Sequence, residues 1–359
     1  MASIQKRPNN TYQATVYTGR DSKGKRLFEY VTRDTMKECK QAVREIEEQL
    51  ERGTYVNVKN IKVCSCISDW LDMNKNRLAP STLHIYKLYL SAHFEPFFGD
   101  MKLDKVKSNE MLIRRFIAEK LETLNPNTVR KLVTVLGKIF REVLKSHDPV
   151  QYVELPAKKK YKPHIVTDAE LTQIWDIVKG TTDEVIILLA AWGGLRLGEI
   201  CALKPNDVFV AESAIVVDES LTINDQYDYE FKPPKSDNGY RKITVPIYLM
   251  NLIQEHIKNM RKNNRTKHPG KLFGYLPNSY SQRFHKIIAD NNLPSIRFHD
   301  LRHFHASYLY NTGIPDHYAA ERLGHDIQTL KSIYQHLGLK RKTEVDEAIK
   351  LAHPGLNRA

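Results

Sequence analysis

The chain has 359 residues, 55 Lys and Arg against 42 Asp and Glu, a formal net charge of +13, and 41% hydrophobic residues. That length predicts two or three domains rather than one small one, and an excess of positive charge on a chain apolar enough to fold predicts a polyanionic partner. The longest apolar run, Val185 to Trp192, is eight residues, far below the roughly 18 that span a bilayer, so no membrane partner is expected.

The start, MASIQKRPNN, has no apolar segment of a secretory signal, and a cytoplasmic setting is expected. From Thr11 to Thr18 the side chains alternate in the period of a half-buried strand; GRDSKGKR is a turn, and Leu27 to Thr32 a second strand. Thr35 and Glu38 have capping-box spacing ahead of Met36, Cys39, Val43, Ile46 and Leu50, and Gly53 is a stop. Residues 1–56 are therefore expected to form a small α+β domain, its basic strands suited to lie against DNA. Residues 61–155 carry four helical patterns and no convincing strand. Ile67, Trp70 and Leu71 mark the first; Ser81 is expected to cap a second with Leu83, Tyr86 and Leu90, and Ser108 a third with Leu112 and Phe116. The fourth follows Asn125-Pro126-Asn127, with Val129, Leu132, Val133, Leu136, Phe140 and Val143 on one face and Arg130, Lys131, Lys138, Arg141 and Lys145 elsewhere. AKKKYKPH is a basic linker, after which Thr167 and Glu170 open another helix and an apolar one runs from about Asp183 to Trp192. Cys39, Cys64, Cys66 and Cys201 lack paired spacing, which argues against a disulfide framework and a structural zinc site.

Chemistry-bearing residues gather in the last domain. In GGLRLGEICALKPNDV two glycines permit a tight turn, so that Arg196 projects from the start of a helix with Glu199 one turn on; such a pair is ordinarily a local ion pair. FKPPKSDNGYRKITVP suggests two short strands around a turn that carries Lys235. In RFHDLRHFHASYLYNTGIP, His299 and Arg302 share a helical face while Leu301, Phe304 and Tyr308 are expected to face a core, and Gly313 and Pro315 end the helix. The next helix stops at Leu323-Gly324, which turns His325 out beyond its end, and Tyr334 follows in LKSIYQHL.

The order Arg, Lys, His-x-x-Arg, His, Tyr resembles the tyrosine recombinase family, the phage-type and transposon integrases. Its members carry this series as a GLRxGE box, a β-hairpin lysine, an HxLRH box, an LGH box and a nucleophilic tyrosine. The matching residues are Arg196, Lys235, His299 and Arg302, His325, and Tyr334. Proline and serine flank Lys235 where many relatives have threonines. The resemblance implies an AP2-like arm-type DNA-binding domain over 1–56, an all-α SAM-like core-binding domain over 61–155 and a basic linker over 156–165. It further implies a mainly α catalytic domain with a small β-sheet over 166–340, the DNA breaking-rejoining enzyme fold, and a tail helix over 341–359 available for exchange between protomers.

The reaction implied is attack by the Tyr334 hydroxyl on a DNA phosphodiester, giving a 3′-phosphotyrosyl enzyme and a free 5′-hydroxyl, then a Holliday junction and strand exchange. Two guanidiniums, always charged and able to bond bidentately, suit the charge that gathers on the non-bridging oxygens, hence Arg196 and Arg302 as a clamp. Lys235 is the expected general acid for the departing 5′-oxygen, and His299 takes the proton of the tyrosine, whose ordinary pKa near 10 makes it a poor nucleophile. His325 hydrogen-bonds the phosphate and Glu199 positions its cationic neighbours. No cofactor, metal or ATP is expected, because the phosphotyrosine conserves the energy of the broken bond. The implied partners are double-stranded DNA at core and arm attachment sites, three further copies of the chain in a homotetramer, an excisionase and a host DNA-bending protein. The implied location is the cytoplasm of a bacterial host, on the nucleoid when bound. Two rivals are a non-catalytic DNA-binding regulator on the same fold, against which the complete series argues, and a zinc hydrolase. The latter draws on His299 and His303 four apart, but Asp300 is short of the usual glutamate and Arg302 puts a cation beside the metal.

Overall fold

In the computed structural model the described residues are 2–20, 24–53, 55, 60–145, 148–159, 164–224, 226, 228–233, 239–263 and 270–334, with backbone alone for 261–263, 329 and 332–334. The chain is mostly helical with small sheets and divides into two compact units, Met1–Lys160 and Tyr161–Ala359.

The first unit begins with an antiparallel sheet in the order β1 (Ser3–Lys6), β2 (Tyr12–Arg20), β3 (Arg26–Arg33), followed by α1 (Met36–Glu51). Alternation puts Ala14 and Val16 of β2 and Val31 of β3 on one face, where they pack on Cys39, Ala42 and Val43 of α1. The Thr35 hydroxyl accepts from Glu38 N–H while the Glu38 carboxylate accepts from Thr35 N–H, the capping box expected. Only β2 and β3 read clearly in the sequence: the four residues of β1, with one half-buried apolar side chain, Ile4, are too few for a period to register.

Helices α2 (Val63–Asn74), α3 (Pro80–Tyr89), α4 (Glu95–Phe98), α5 (Leu103–Val106), α6 (Glu110–Thr123) and α7 (Pro126–Leu144) follow, with a π-turn at Leu90–Phe94. They enclose a second core that includes Trp70, Phe94, Phe98, Phe116, Leu136 and Phe140. Two expected caps are displaced. Ala79 precedes α3 and Pro80 takes its first position, which suits a residue without an N–H, so Ser81 lies inside the helix. Asn109 caps α6 by accepting from Leu112 N–H at 3.2 Å, while Ser108 holds a left-handed φ of 56°.

The second unit contains α8 (Asp168–Val178), α9 (Thr182–Ala191), α10 (Leu197–Ala202), β4 (Val208–Phe209), β5 (Ala214–Val217), β6 (Ser220–Ile223), β7 (Tyr229–Lys232) and β8 (Arg241–Thr244). α11 (Ile247–Asn263), α12 (Pro277–Asp290), α13 (Phe298–Asn311), α14 (Asp316–Leu323) and α15 (Ile327–Tyr334) complete it. From Asp183 to Ala191 every residue of α9 is buried, so the longest apolar run is a core helix, with α13 packed on it. The strands flanking Lys235 do not pair with each other. β7 pairs with β6, and β8 pairs with β5 in the three-stranded sheet β4-β5-β8. Leu301 and Phe304 face the core as expected, but Tyr308 is exposed and meets the Trp192 ring edge-on at 5.2 Å. Among the described residues no helix is long and apolar enough to cross a membrane.

Candidate active site

The turn between α9 and α10 places the first arginine. Gly194 has φ +67°, and a Cβ there would lie 2.6 Å from His305 Cδ2 and 2.9 Å from Leu323 Cδ2, so the position admits only glycine. Arg196 then sits at the extended N-cap of α10. Its backbone N–H donates to Glu199 Oε2 at 2.8 Å, its Nη1 to Glu199 Oε1 at 2.8 Å, and its Nη2 to the Gly324 carbonyl at 2.8 Å. The ordinary local ion pair is therefore present, but the guanidinium also reaches the LGH turn. Gly198 lets α10 approach β6: a Cβ would fall 2.6 Å from Ser220 Oγ and 2.9 Å from the Leu221 carbonyl oxygen.

The second arginine comes from α13 and is 1% exposed. Arg302 donates through Nη1 to the Gly194 carbonyl and through Nη2 to the Leu323 carbonyl and, at 2.9 Å, to His325 Nε2. A guanidinium only donates, so Nε2 accepts and the neutral His325 ring carries its proton on Nδ1. That Nδ1 and Arg302 Nε are buried and have no hydrogen-bond partner among the described residues. Gly324, left-handed at φ 57°, ends α14, and His325 N–H closes back on the Ala320 carbonyl at 2.9 Å, which carries the imidazole past the helix end and onto Arg302. His299 lies one turn before Arg302, its ring edge-on to His303 with centroids 4.8 Å apart.

Burial, then His303 and Arg302, push the His299 pKa down to about 4; burial, then Arg302 and Arg196, push His325 down to about 3. Both rings are neutral near pH 7. Burial pushes Glu199 upward, but Arg241, then Arg302 and Arg196, outweigh it and hold its carboxyl at about 2. The same guanidiniums oppose a divalent cation at the His299–His303 pair, so those histidines do not fit a zinc site.

Arg196, Glu199, His299, Arg302 and His325, drawn from three stretches of sequence, are thus brought together. Of the two motif arginines Arg196 is the accessible one, its side chain 37% exposed, while Arg302 is buried. Lys235 lies outside the described residues; Tyr334 ends α15, and its side chain lies outside them too, as does the tail 341–359. Three residues the motifs did not suggest complete the network. Arg241 grips Glu199 bidentately, Nη2 to Oε2 at 2.8 Å and Nη1 to Oε1 at 3.1 Å. Arg322 donates to His305 Nε2 at 2.8 Å and to the carbonyls of Trp192 and Thr244. His305, held neutral by burial and Arg322 with its pKa down at about 3, therefore donates from Nδ1 to the Ala191 carbonyl. The signal for Arg241 was its register: it occupies an inward position of β8 in the alternating Arg-Lys-Ile-Thr.

Residues 164–341 match the Phage integrase family, and residues 65–121 match the Phage integrase, N-terminal SAM-like domain. The chain is 24% identical to a Tyrosine recombinase XerC-like protein of Caldanaerobacter subterraneus subsp. tengcongensis, across 94% of this chain and 95% of that one. It is 25% identical to the ICEBs1 integrase of Bacillus subtilis, across 97% and 99%. Among solved structures, the Tn1549 transposon integrase in complex with transposon right end DNA aligns with a TM-score of 0.65 at 19% identity, covering 76% of this chain and 95% of that one. A lambda integrase dimer bound to a COC′ core site aligns at 0.58 with 17% identity, covering 92% and 93%.

Proposed function

The chain belongs to the phage integrase family of tyrosine recombinases, and we propose that it cuts and rejoins double-stranded DNA at specific sites through Tyr334, integrating or excising a mobile element. The observation that carries this reading is the convergence of the three motif boxes: Arg196 bonds the Gly324 carbonyl, and Arg302 bonds both the Gly194 carbonyl and His325. This convergence supports a reading in which two guanidiniums and a neutral imidazole serve one phosphate.

In this reading the phosphate meets Arg196, Arg302 adds positive charge from its buried position, and His325 donates to the phosphate in the tautomer that carries its proton on Nε2, released from Arg302. The Tyr334 oxygen bonds to phosphorus as the bond to the 5′-oxygen breaks; Lys235 protonates that oxygen and His299 receives the phenol proton. A His299 pKa of about 4 makes a weak base, but a phosphate anion beside it raises that value at the moment the base is needed. The 5′-hydroxyl of another strand reverses the step, so bond energy is conserved without ATP or a metal.

The finer organisation belongs to the same proposal: arm-type binding by residues 1–56, core-type binding by 61–155, the linker 156–165, catalysis by 166–340 and exchange of the tail 341–359 within a homotetramer at a Holliday junction. An excisionase and a host bending protein would direct it. The arm assignment is supported by the open face of the first sheet, where Tyr17, Phe28 and Tyr30 stand exposed. The core assignment is supported by a groove of about 540 Å³ that Tyr86, Asn127, Arg130, Lys131 and Lys158 help to line. The test is Tyr334→Phe. The variant is expected to bind its site and form no covalent adduct on a nicked suicide substrate; adducts that survive denaturation with this variant would refute the assignment.

A further inference from the structure

A third guanidinium, one that no motif of the sequence suggested, sits behind the site. From its contacts we infer that Arg241 is a positioning residue, which holds the Glu199 carboxylate away from Arg302 so that Arg302 keeps its charge for the DNA phosphate. The inference rests on the reading of this site as one that cleaves phosphodiesters.

Arg241 cannot touch substrate, because its side chain is 2% exposed. Four of its five N–H groups are committed: Nη1 and Nη2 to the two oxygens of Glu199, Nη1 also to the Gly239 carbonyl at 3.2 Å, and Nε to the Arg322 carbonyl at 2.8 Å. The fork ties the start of β8 to α10 and to the last turn of α14, whose next two carbonyls receive Arg302 and Arg196.

The carboxylate is saturated. Arg196 supplies one donor to each Glu199 oxygen, through Nη1 and its backbone N–H, and Arg241 supplies the other two. A carboxylate offers about four lone-pair positions, so these donors fill it. Arg302 Nη1 waits 3.9 Å from Oε2, beyond hydrogen-bond range. Three cations thus share one anion, and Arg241 takes the part of that anion that Arg302 would otherwise neutralise. Without Arg241 two lone pairs of a buried carboxylate lose their donors, and the nearest remaining guanidinium is Arg302. Closing that gap would draw Arg302 off the Gly194 carbonyl and cancel the charge beneath the phosphate. Lysine is no substitute, since one ammonium cannot span both oxygens.

The experiment measures single-turnover adduct formation by the full chain on a nicked suicide duplex at saturating protein. The scissile linkage is either the phosphodiester or a methylphosphonate, whose methyl group replaces one non-bridging oxygen and removes the negative charge. Arg241→Met is expected to slow cleavage of the phosphodiester on the order of 10²-fold with DNA affinity within about threefold, the size of losing one oxyanion donor. On the neutral linkage the loss relative to wild type is expected to shrink at least about tenfold. Adding Glu199→Gln removes the unbalanced anion, so in that background Arg241→Met is expected to cost less than about threefold; this comparison stands even if the single variant does not fold. Equal losses on both linkages, a further tenfold loss in the Glu199→Gln background, or a wild-type rate for Arg241→Met each overturn the inference. A wild-type chain that forms no adduct on either linkage instead overturns the phosphodiester reading, and this inference with it.

Discussion

Helices α7 and α13 use charge in opposite ways. In α7, Val129, Leu132, Val133, Leu136, Ile139, Phe140 and Leu144 are buried while Lys131, Lys138 and Arg141 stand in solvent. In α13, Asp300, Arg302, His305 and Ser307 are buried together with Leu301, Phe304 and Leu309. A helix that lends a surface to a polyanion needs only its charges on the outer face, which water and counterions solvate. A helix that builds a reaction site carries its charges inward, and each then needs partners to offset desolvation. Those partners are here the carbonyls of Ala191, Gly194, Leu323 and His303, the His325 ring, and the guanidiniums of Arg297 and Arg322.

The largest effects are expected at the site. Arg196→Ala and Arg302→Ala should each lose on the order of 10² to 10³ in the rate of adduct formation, and near-normal cleavage by either would remove that residue from the phosphate site. The two should part on stability. Arg196 is partly exposed and its loss should leave the melting temperature nearly unchanged, whereas Arg302→Ala strands two carbonyls and the His325 ring and should lower it by several degrees. Equal melting curves would erase the distinction between an accessible guanidinium and a buried one.

Phe140→Ala probes the other helix. A fully buried phenyl ring in α7 should cost about 3–5 kcal/mol of unfolding free energy, followed by denaturant titration of residues 1–160 within the full chain. Adduct formation by the folded fraction should be retained. A loss near zero would mean that the amphipathic period does not mark the core.

The most gradual effect is on pH. Burial first, and then neighbouring guanidiniums or histidines, hold His299 down at about 4 and His305 and His325 at about 3. An unfolded histidine titrates near 6.5, so below that pH the unfolded chain binds protons that the folded one does not. The stability these rings contribute is complete above about pH 6.5 and is lost as pH falls through about 4 for His299 and about 3 for His305 and His325. Unfolding midpoints that stay flat or rise between pH 6.5 and 5 would contradict neutral burial.

The same contrast explains what was legible beforehand. The α7 face and the capping boxes at Thr35 and Thr167 were readable because their signals are local and repeat with helical period. The meeting of Arg196, Glu199, His299, Arg302 and His325, the motif residues whose side chains are described, could be expected because the order of the motifs along the chain is itself a pattern. Arg241, His305 and Arg322 were not, because what makes them matter lies elsewhere in sequence: Glu199 for the first, the Ala191 carbonyl for the second, Trp192 and Thr244 for the third. Pairing of β8 with β5 rather than β7 was equally hidden, since adjacent short strands around a turn look like a hairpin whichever neighbour they choose.

The account stands on one covalent bond. Wild-type chain trapped on a nicked suicide duplex, digested and sequenced by mass spectrometry, should carry its nucleotide on Tyr334 and on none of the other tyrosines among the 18 in the chain. A nucleotide on a different side chain, or an active preparation that cuts DNA with no protein–DNA bond at all, would contradict it.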